Sequence, residues 1–213
     1  MISYKRTVIW RTLGFIFLIC LMLSNCVYFR MTHLSNEDLE WIQCYNRFPS
    51  PKFISESGKV AKLSYQDVWI ANSTNRFYIS SNGSYTYEAT AGYRFDISQS
   101  DTVFQGWLSI IRFVNENNLW VAFSLNHFTS DEITQFNFIP LQTHNFEMDS
   151  VIYNDCIIAD STNAYYSPYQ IDKVTDKIDK FVISKKYGLL YYRFQNGEEF
   201  KRKKKEKEKR GVA

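Results

Sequence analysis

The residue types that most often carry out catalysis or bind metals are sparse in this chain of 213 residues. It contains three histidines, His33, His127 and His144. No two of them have the spacing of metal ligands or of a zinc protease signature. No glycine-rich loop of the kind that holds phosphate groups is present. We therefore expect no metal site and no cofactor, and we expect His33 to be a surface residue.

Two groupings of reactive residues remain as catalytic hypotheses. Cys156 is a nucleophile in principle if His127 or His144 acts as its base, because a thiol needs a proton acceptor nearby. Asp155 and Asp160 are paired carboxylates of a hydrolase in principle. Acidic residues at strand ends more often are solvated or cap turns, and nothing in the sequence places these groups together. The sequence therefore favours a protein that is not an enzyme.

Cys44 and Cys156 are the two cysteines of the region that follows the apolar N-terminal segment. In an oxidising compartment they are candidates for a disulfide bond, which would close a long loop and restrict the unfolded chain. The alternative is that both are free thiols buried in a core.

Aromatic residues make up 17% of the chain, a share typical of strands and wide apolar sheet faces. We expect most of the rings, including Trp107, to lie in a core. Rings at the surface are candidates for contacts with a partner, because large amphipathic side chains supply contact energy at a low entropic cost. The candidates are Trp69, Trp107, Trp120, Tyr165, Tyr166 and Tyr169. The last three are the strongest, because Pro168 and polar neighbours indicate a loop.

An apolar segment near the N-terminus indicates where the protein is located. Residues 12–29 are uncharged and just long enough to cross a hydrocarbon core of roughly 30 Å as a helix. Lys5, Arg6 and Arg11 precede the segment and Arg30 follows it, and this imbalance favours an N-terminus in the cytoplasm. We therefore expect a membrane anchor in residues 1–30 and one exported domain in residues 31–200.

Three interpretations of the segment remain open: an uncleaved anchor, a lipoprotein signal and a simple secretory signal. Leu23, Ser24 and Cys26 resemble the site at which a bacterial lipoprotein is cut and its cysteine lipidated, whereas Asn25 and Val27 do not suit it. Cys26 is therefore the lipidation candidate. All three interpretations place the following domain outside the cytoplasm.

The net charge of +3 hides an uneven distribution. Residues 201–210 hold 8 basic and 2 acidic residues, and we expect residues 201–213 to form a basic, disordered tail. Such a tail is also attracted to anionic lipid headgroups or acidic polymers. Residues 31–200 hold 13 basic and 20 acidic residues, a net charge of −7, so the domain is a poor candidate for binding nucleic acid.

One short helix is predicted at the start of the domain. Ser35 is its N-cap, Asp38 stands where a capping box needs an acid, and Leu34 and Leu39 have the spacing of a hydrophobic staple. We expect Leu39, Trp41 and Ile42 to pack on a β domain.

After Pro51 the apolar residues recur with period two, which indicates strands. The strand predicted over residues 85–97 alternates throughout, and Gly92 suggests that it bends at its middle. About ten strands with short connections predict an antiparallel meander that forms a curved sheet or barrel. The remaining predicted strands are 52–56, 59–65, 67–71, 103–114, 119–125, a segment around Phe136 and Phe138, 151–159, 179–185 and 189–194.

The phrases LSNEDLEWIQCY, VIYNDCIIADSTN and FVISKKYGLLYYRFQNGEEFKR resemble those of uncharacterised membrane-anchored or lipidated proteins of the bacterial envelope. The resemblance implies a location in the envelope and no particular activity. The strand phrasing is also similar to that of curved-sheet lipoprotein carriers, which implies an apolar concavity for acyl chains.

We therefore expect a non-catalytic binding module anchored in the membrane through residues 12–29, with another envelope component as its partner. The alternatives are a carrier of an apolar acyl-chain ligand and, less favoured, an envelope hydrolase. The inward rings predicted for the strands are bulky enough to fill a small barrel, which argues against the carrier.

Overall fold

The computed structural model describes residues 30–72, 86–114, 116–130, 138–166, 174 and 176–203. The apolar segment 12–29 with Cys26, as well as Tyr169, lies outside the described residues, so the expectations for them stay predictions. Across the described ranges, no helix has the length and apolar character needed to cross a membrane.

Two short helices precede the sheet, α1 (Asn36–Leu39) and α2 (Cys44–Arg47). The capping box predicted for α1 is confirmed. Ser35 Oγ accepts a hydrogen bond from the Asp38 N–H at 3.1 Å, and Asp38 Oδ2 accepts one from the Ser35 N–H at 2.8 Å. Trp41 and Ile42, which follow α1, are almost fully buried in the main core, as predicted.

The described residues contain fifteen strands, numbered in chain order. They are β1 (Arg30–Met31), β2 (Lys52–Ser55), β3 (Val60–Ala71), β4 (Thr86–Tyr87), β5 (Ala89–Gln99), β6 (Thr102–Arg112), β7 (Trp120–Leu125), β8 (Phe128–Thr129), β9 (Ile139–Pro140), β10 (His144–Met148), β11 (Val151–Ala159), β12 (Tyr165–Tyr166), β13 (Ile178–Ser184), β14 (Gly188–Phe194) and β15 (Glu199–Arg202).

The chain divides into two compact units, Met1–Met31 with Asn75–Tyr87, and Thr32–Thr74 with Glu88–Ala213. In the described part of the first unit, β1 and β4 form a short parallel pair. The other thirteen described strands belong to the second unit and form one antiparallel sheet.

The sheet of the second unit consists of two meanders. In the first, β2, β3, β5, β6 and β7 pair in that order, and both β8 and β9 pair with β7. In the second, β10, β11, β13, β14 and β15 pair in that order. The pairing of β15 with β2 joins the two meanders. The whole sheet curls into a half-barrel, which confirms the predicted curved antiparallel sheet.

Several predicted strand boundaries are changed by the structure. The predicted strand over residues 85–97 is interrupted at Glu88, although β5 keeps the predicted alternation. The segments 59–65 and 67–71 form one strand, β3, with a bulge between Tyr65 and Val68. A bulge lets one strand continue past a break in its alternation, which is why the sequence suggested two strands. The segment at Phe136 lies outside the described residues.

Aromatic rings meet across the interior of the half-barrel. Phe104 of β6 contacts Tyr192 of β14 with ring centres 5.7 Å apart, and Phe123 of β7 meets Phe181 of β13 edge-on at 5.5 Å. Tyr192 is also stacked on Phe200 at 4.8 Å. These contacts bury the inner faces of both meanders against each other, so the described rings fill much of the space that a carrier would leave open.

Lys201 and Arg202, assigned by their charge to the tail, belong to β15 instead. Arg202 is only 6% exposed. The centre of its guanidinium group lies 4.1 Å from the ring centre of Phe48 and 5.6 Å from that of Tyr187, and it donates a hydrogen bond to the Tyr187 carbonyl. These cation–π contacts explain how a residue in a basic run comes to be buried.

The ion pair between Asp38 and Arg112 generates a prediction about acid stability. Arg112 Nη2 donates to both Asp38 oxygens, at 3.0 and 2.8 Å. Burial alone would raise the pKa of Asp38, but the hydrogen bonds from Arg112 and Ser35 hold it below its ordinary value of 3.8. The ionised carboxylate therefore stabilises the fold above that pH, and its contribution is lost as the pH falls through the folded-state pKa.

We expect Asp38→Asn to lower the free energy of unfolding by about 2 kcal/mol at pH 7, and the deficit to shrink below pH 3.8. Urea unfolding at pH 7 and pH 3 measures it. The control is Asp179→Asn, which breaks the more exposed pair with Arg193 and should cost less than about 1 kcal/mol. An equal loss for Asp38→Asn at both pH values would contradict the assignment.

Candidate functional site

The tyrosines predicted to contact a partner from a loop are part of the sheet. Tyr165 and Tyr166 form β12, opposite Thr129 and Phe128 of β8. The Tyr166 hydroxyl donates to the Ile178 carbonyl at 3.0 Å and accepts a hydrogen bond from the Ile178 N–H. Burial raises the pKa of Tyr166 to about 12. Tyr166 therefore ties β12 to the start of β13, and the predicted loop is wrong at these two residues.

Cys44 and Cys156 are both free and fully buried, so of the two alternatives the structure has the buried free thiols and not the candidate disulfide. Cys44 lies in the main core, where the Tyr65 hydroxyl donates to its sulfur at 3.5 Å and burial raises its pKa. Cys156 packs instead in a second, smaller cluster with Met148 and Val182. The two thiols lie in separate clusters because the pairing of β11 with β13 fixes the direction of Cys156.

The structure places one of the two histidines proposed as a base next to Cys156, but the thiol is not suited to catalysis. His144 is the cross-strand partner of Cys156, and its side chain is exposed, whereas His127 lies in the turn between β7 and β8. Burial, assisted by the charge of Asp155, raises the pKa of Cys156 to about 12. An activated thiol needs a lowered pKa.

Asp155 and Asp160 stabilise two different turns. Asp155 accepts hydrogen bonds from the Ser184 hydroxyl at 2.9 Å and from the Lys186 N–H at 3.0 Å. Asp160 accepts one from the Thr162 hydroxyl at 2.6 Å. Five residues of extended chain, roughly 16 Å, separate the two carboxylates, so they do not form a pair. In the described ranges, no three His, Cys, Asp or Glu side chains are grouped to hold a metal ion.

The arrangement that best fits a binding site is a trench on the outer face of the sheet. Outward-facing residues of β5, β6 and β7 form three rows that run across the strands, and the middle row contains only small residues. In order, the rows are Arg94, Trp107 and Ser124; Gly92, Ser109 and Ala122; and Thr90, Ile111 and Trp120. Neighbouring rows are two residues apart along each strand, roughly 7 Å. On β6 the small Ser109 therefore lies between the larger Trp107 and Ile111.

We call this hollow the outer trench. Its volume is about 540 Å³, and it is lined by Trp69, Thr90, Arg94, Trp107, Ser109, Ile111 and Phe138. Small-molecule sites usually have volumes of roughly 300 to 1,000 Å³ and combine apolar walls with a few polar groups. The outer trench meets both conditions.

Trp69 closes the trench on the side of β3. It is the cross-strand partner of Gly92, and a Cβ atom at Gly92 would lie only 2.2 Å from Trp69 Cζ2. The indole therefore occupies the space that any other side chain at position 92 would fill. Pairing of β5 with β6 continues through this point without a bulge, and a Cβ atom at Gly92 would also lie 2.5 Å from the Leu108 carbonyl oxygen. The structure therefore explains Gly92 by the ring above it together with the backbone of β6.

Trp107 forms the wall beside Arg94 and is half-buried, so the prediction that it belongs to the core is wrong. Leu108 and Ile110 of the same strand are fully buried in the interior. Since side chains alternate along a strand, Trp107 and Ser109 face outward. The alternation along β6 could therefore have shown that Trp107 faces outward. It was assigned to the core instead because tryptophan usually lies in cores.

The polar groups of the trench are not saturated by each other. The hydroxyl oxygens of Thr90 and Ser109 are 3.4 Å apart, at the limit of a hydrogen bond. Arg94 approaches Asp67 at 3.9 Å, and the two side chains are 67% and 70% exposed. Both donors and acceptors therefore remain available beside two aromatic faces.

A second hollow of about 300 Å³ lies among the turns at one end of the half-barrel, lined in part by Lys59, Asn126, Asp176 and Glu198. Several of its polar groups already have partners. Lys59 binds Glu198 at 2.8 Å, and the Asn126 side chain donates to the Asp176 carbonyl at 2.7 Å. This hollow is lined mainly by polar and charged side chains, with Gln99 and His127 among them, and it lacks the tryptophans that line the outer trench.

Replacing Gly92 tests whether the indole of Trp69 packs directly on this glycine. We expect Gly92→Ala to displace the indole and to lower the free energy of unfolding by about 1–3 kcal/mol, because the added methyl group overlaps the ring. Urea unfolding and near-UV circular dichroism measure the two effects. Ser98→Ala, an exposed position on the same strand, is the control and should change stability by less than about 0.5 kcal/mol. An unchanged aromatic spectrum for Gly92→Ala would contradict the packing of Trp69 on Gly92.

The two buried thiols give a chemical test of the core. We expect iodoacetamide to leave Cys44 and Cys156 unmodified in the native protein and to alkylate both after denaturation without any reductant, because neither is bonded. Peptide mapping by mass spectrometry measures this. A requirement for reductant before alkylation would show that a disulfide exists after all.

Comparisons of the chain with other proteins return no matching family model, no matching curated protein and no matching solved structure. The outer trench is therefore the feature from which we propose a function.

Proposed function

We propose that this protein is a non-catalytic binding module of the bacterial envelope, anchored in the membrane through residues 12–29, and that it binds a saccharide in the outer trench. The observation that carries the proposal is the placement of two tryptophans, Trp69 and Trp107, on the outer face in one hollow with the small polar residues Thr90 and Ser109.

Indole faces suit the flat, apolar side of a sugar ring. The π-face carries partial negative charge, and the axial C–H groups of a pyranose carry slight positive charge, so the two surfaces attract each other. The hydroxyl groups at the edge of the sugar then need hydrogen-bond partners. Thr90, Ser109 and Arg94 line the same hollow as the two tryptophans and are the side chains that would supply these partners.

Other ligand classes fit the trench less well. An extended peptide would bring a run of backbone N–H and C=O groups to a sheet face that has few polar partners to offer, although buried backbone groups need them. An acyl chain would leave Arg94 and the two hydroxyls without a role. A nucleic acid would meet a domain with a net charge of −7 over residues 31–200.

The proposed membrane anchor and the proposed location in the envelope are supported by the sequence alone. The apolar segment with basic residues before it supports an exported domain, and the phrases that resemble envelope proteins support a bacterial envelope as its location. Saccharides are abundant in that compartment, so the proposed ligand and the proposed location agree. Cys26 is the residue through which a lipid anchor would be attached.

We expect the full chain to bind disaccharides and Trp107→Ala to weaken binding at least tenfold, which corresponds to about 1.4 kcal/mol. The protein is reconstituted in phosphatidylcholine nanodiscs, since glycoside detergents would compete for the trench. Cellobiose, maltose, lactose and N,N′-diacetylchitobiose are titrated while intrinsic tryptophan fluorescence and calorimetric heats are recorded. Trp69→Ala is the second variant, since it removes the other ring.

The matched control is Val103→Ala, which shortens an exposed side chain on the same strand as Trp107. Val103 lines the hollow at the end of the half-barrel and not the outer trench. The variant should leave saccharide affinity unchanged. Thermal unfolding of each variant separates lost binding from lost folding. Absence of binding to all four disaccharides, or equal affinity in wild type and a folded Trp107→Ala variant, would overturn the proposal.

A further inference from the structure

We infer that the outer trench selects an uncharged saccharide with two adjacent hydroxyl groups, and that Arg94 of its lining and Asp67, which lies beside Arg94 at the rim, bind these hydroxyls as a donor–acceptor pair. The inference rests on the proposed saccharide function and adds the class of sugar and the residues that distinguish it.

The geometry of this ion pair differs from that of two other arginine–carboxylate pairs among the described residues. Arg193 donates to Asp179 at 2.9 and 3.0 Å, and Arg112 donates to Asp38 at 3.0 and 2.8 Å. Arg94 and Asp67, in contrast, are 3.9 Å apart at their nearest atoms. That distance is too long for a direct hydrogen bond, so this pair is open while the other two are closed.

An open pair of this kind matches a diol. A guanidinium group only donates hydrogen bonds and a carboxylate only accepts them, whereas each hydroxyl group does both. Two hydroxyls on neighbouring carbons can therefore accept from Arg94 while they donate to Asp67, and both bonds are strengthened by the charge on the protein side. Since both side chains are mostly exposed, little rearrangement is needed to make these bonds.

The charges around Arg94 explain why the sugar should be uncharged. Asp67 lies beside it, and Asp96 lies two residues along the same strand. Asp96 accepts a hydrogen bond from the Gln66 side chain at 2.8 Å, which holds it without neutralising it. Two carboxylates against one guanidinium leave an excess of negative charge, and a carboxylated sugar would be repelled.

The test compares matched sugars on the full chain in the same nanodiscs. Each of the four disaccharides is paired with a counterpart whose terminal CH₂OH is oxidised to a carboxylate and with a counterpart that lacks one of two adjacent hydroxyls. We expect the wild-type chain to bind the carboxylated and the deoxy forms at least tenfold more weakly than the parent sugar. The affinity for the parent sugar should change little with salt, because the ligand carries no charge.

Substitutions assign the effect to the two residues. Arg94→Gln should weaken binding of the parent sugar about tenfold, and Asp67→Asn should weaken it several-fold while it improves binding of the carboxylated form. Arg193→Gln, in a closed pair, should change neither affinity. Equal binding of parent and carboxylated sugars by wild type, or unchanged affinities in folded Arg94→Gln and Asp67→Asn variants, would overturn the inference and leave the proposed function intact. Failure of every sugar to bind would overturn the proposed function itself, and this inference with it.

Discussion

The pairing of β15 with β2 is the contact on which the rest of the sheet depends. It places Phe200 opposite Ser55 and Arg202 opposite Phe53, so the last described strand lies beside the first strand of the sheet. Without it, each meander would have an unpaired edge and an apolar face open to water. The contact joins residues far apart in sequence, and closing so long a loop costs conformational entropy that the buried rings must offset. Arg202 stabilises the junction, since its guanidinium group packs on rings from α2's C-terminal side and from the turn before β14.

The curl that follows from this junction gives the two faces of the sheet different roles. On the inner face, aromatic rings from both meanders fill the interior, and Phe95 lies over Gly106, where a Cβ atom would be 2.3 Å from Phe95 Cζ. On the outer face, Trp69 lies over Gly92 in the same way. On each face of the β5–β6 pair, a glycine therefore leaves room for an aromatic ring from the neighbouring strand. The interior is largely occupied, whereas the outer face carries the outer trench of about 540 Å³.

Much of the fold could be predicted from the sequence because it depends on local patterns. The capping box at Ser35 and the alternation from Tyr93 to Ile97 are signals carried by neighbouring residues, and both appear in the structure. What could not be predicted depends on contacts between distant segments. The assignment of Arg202 to β15 and of Tyr166 to β12 follows from partners found elsewhere in the chain. The trench was missed for the same reason, since its rows exist only when β5, β6 and β7 are in register.

The outer trench is hard to explain by stability alone. Glycine inside a strand costs roughly 0.5–1 kcal/mol relative to alanine, and Gly92 has no role in a turn or a bulge. Packing explains the glycine itself, because a Cβ atom at position 92 would lie 2.5 Å from the Leu108 carbonyl oxygen as well as 2.2 Å from Trp69 Cζ2, but it does not explain why an indole lies at the surface above it. Trp107, half-buried on the wall of the same hollow, also forgoes part of the stabilisation that a fully buried indole would give. The two tryptophans at the surface beside Thr90 and Ser109 are therefore the feature that packing leaves unexplained and that the proposed saccharide would account for.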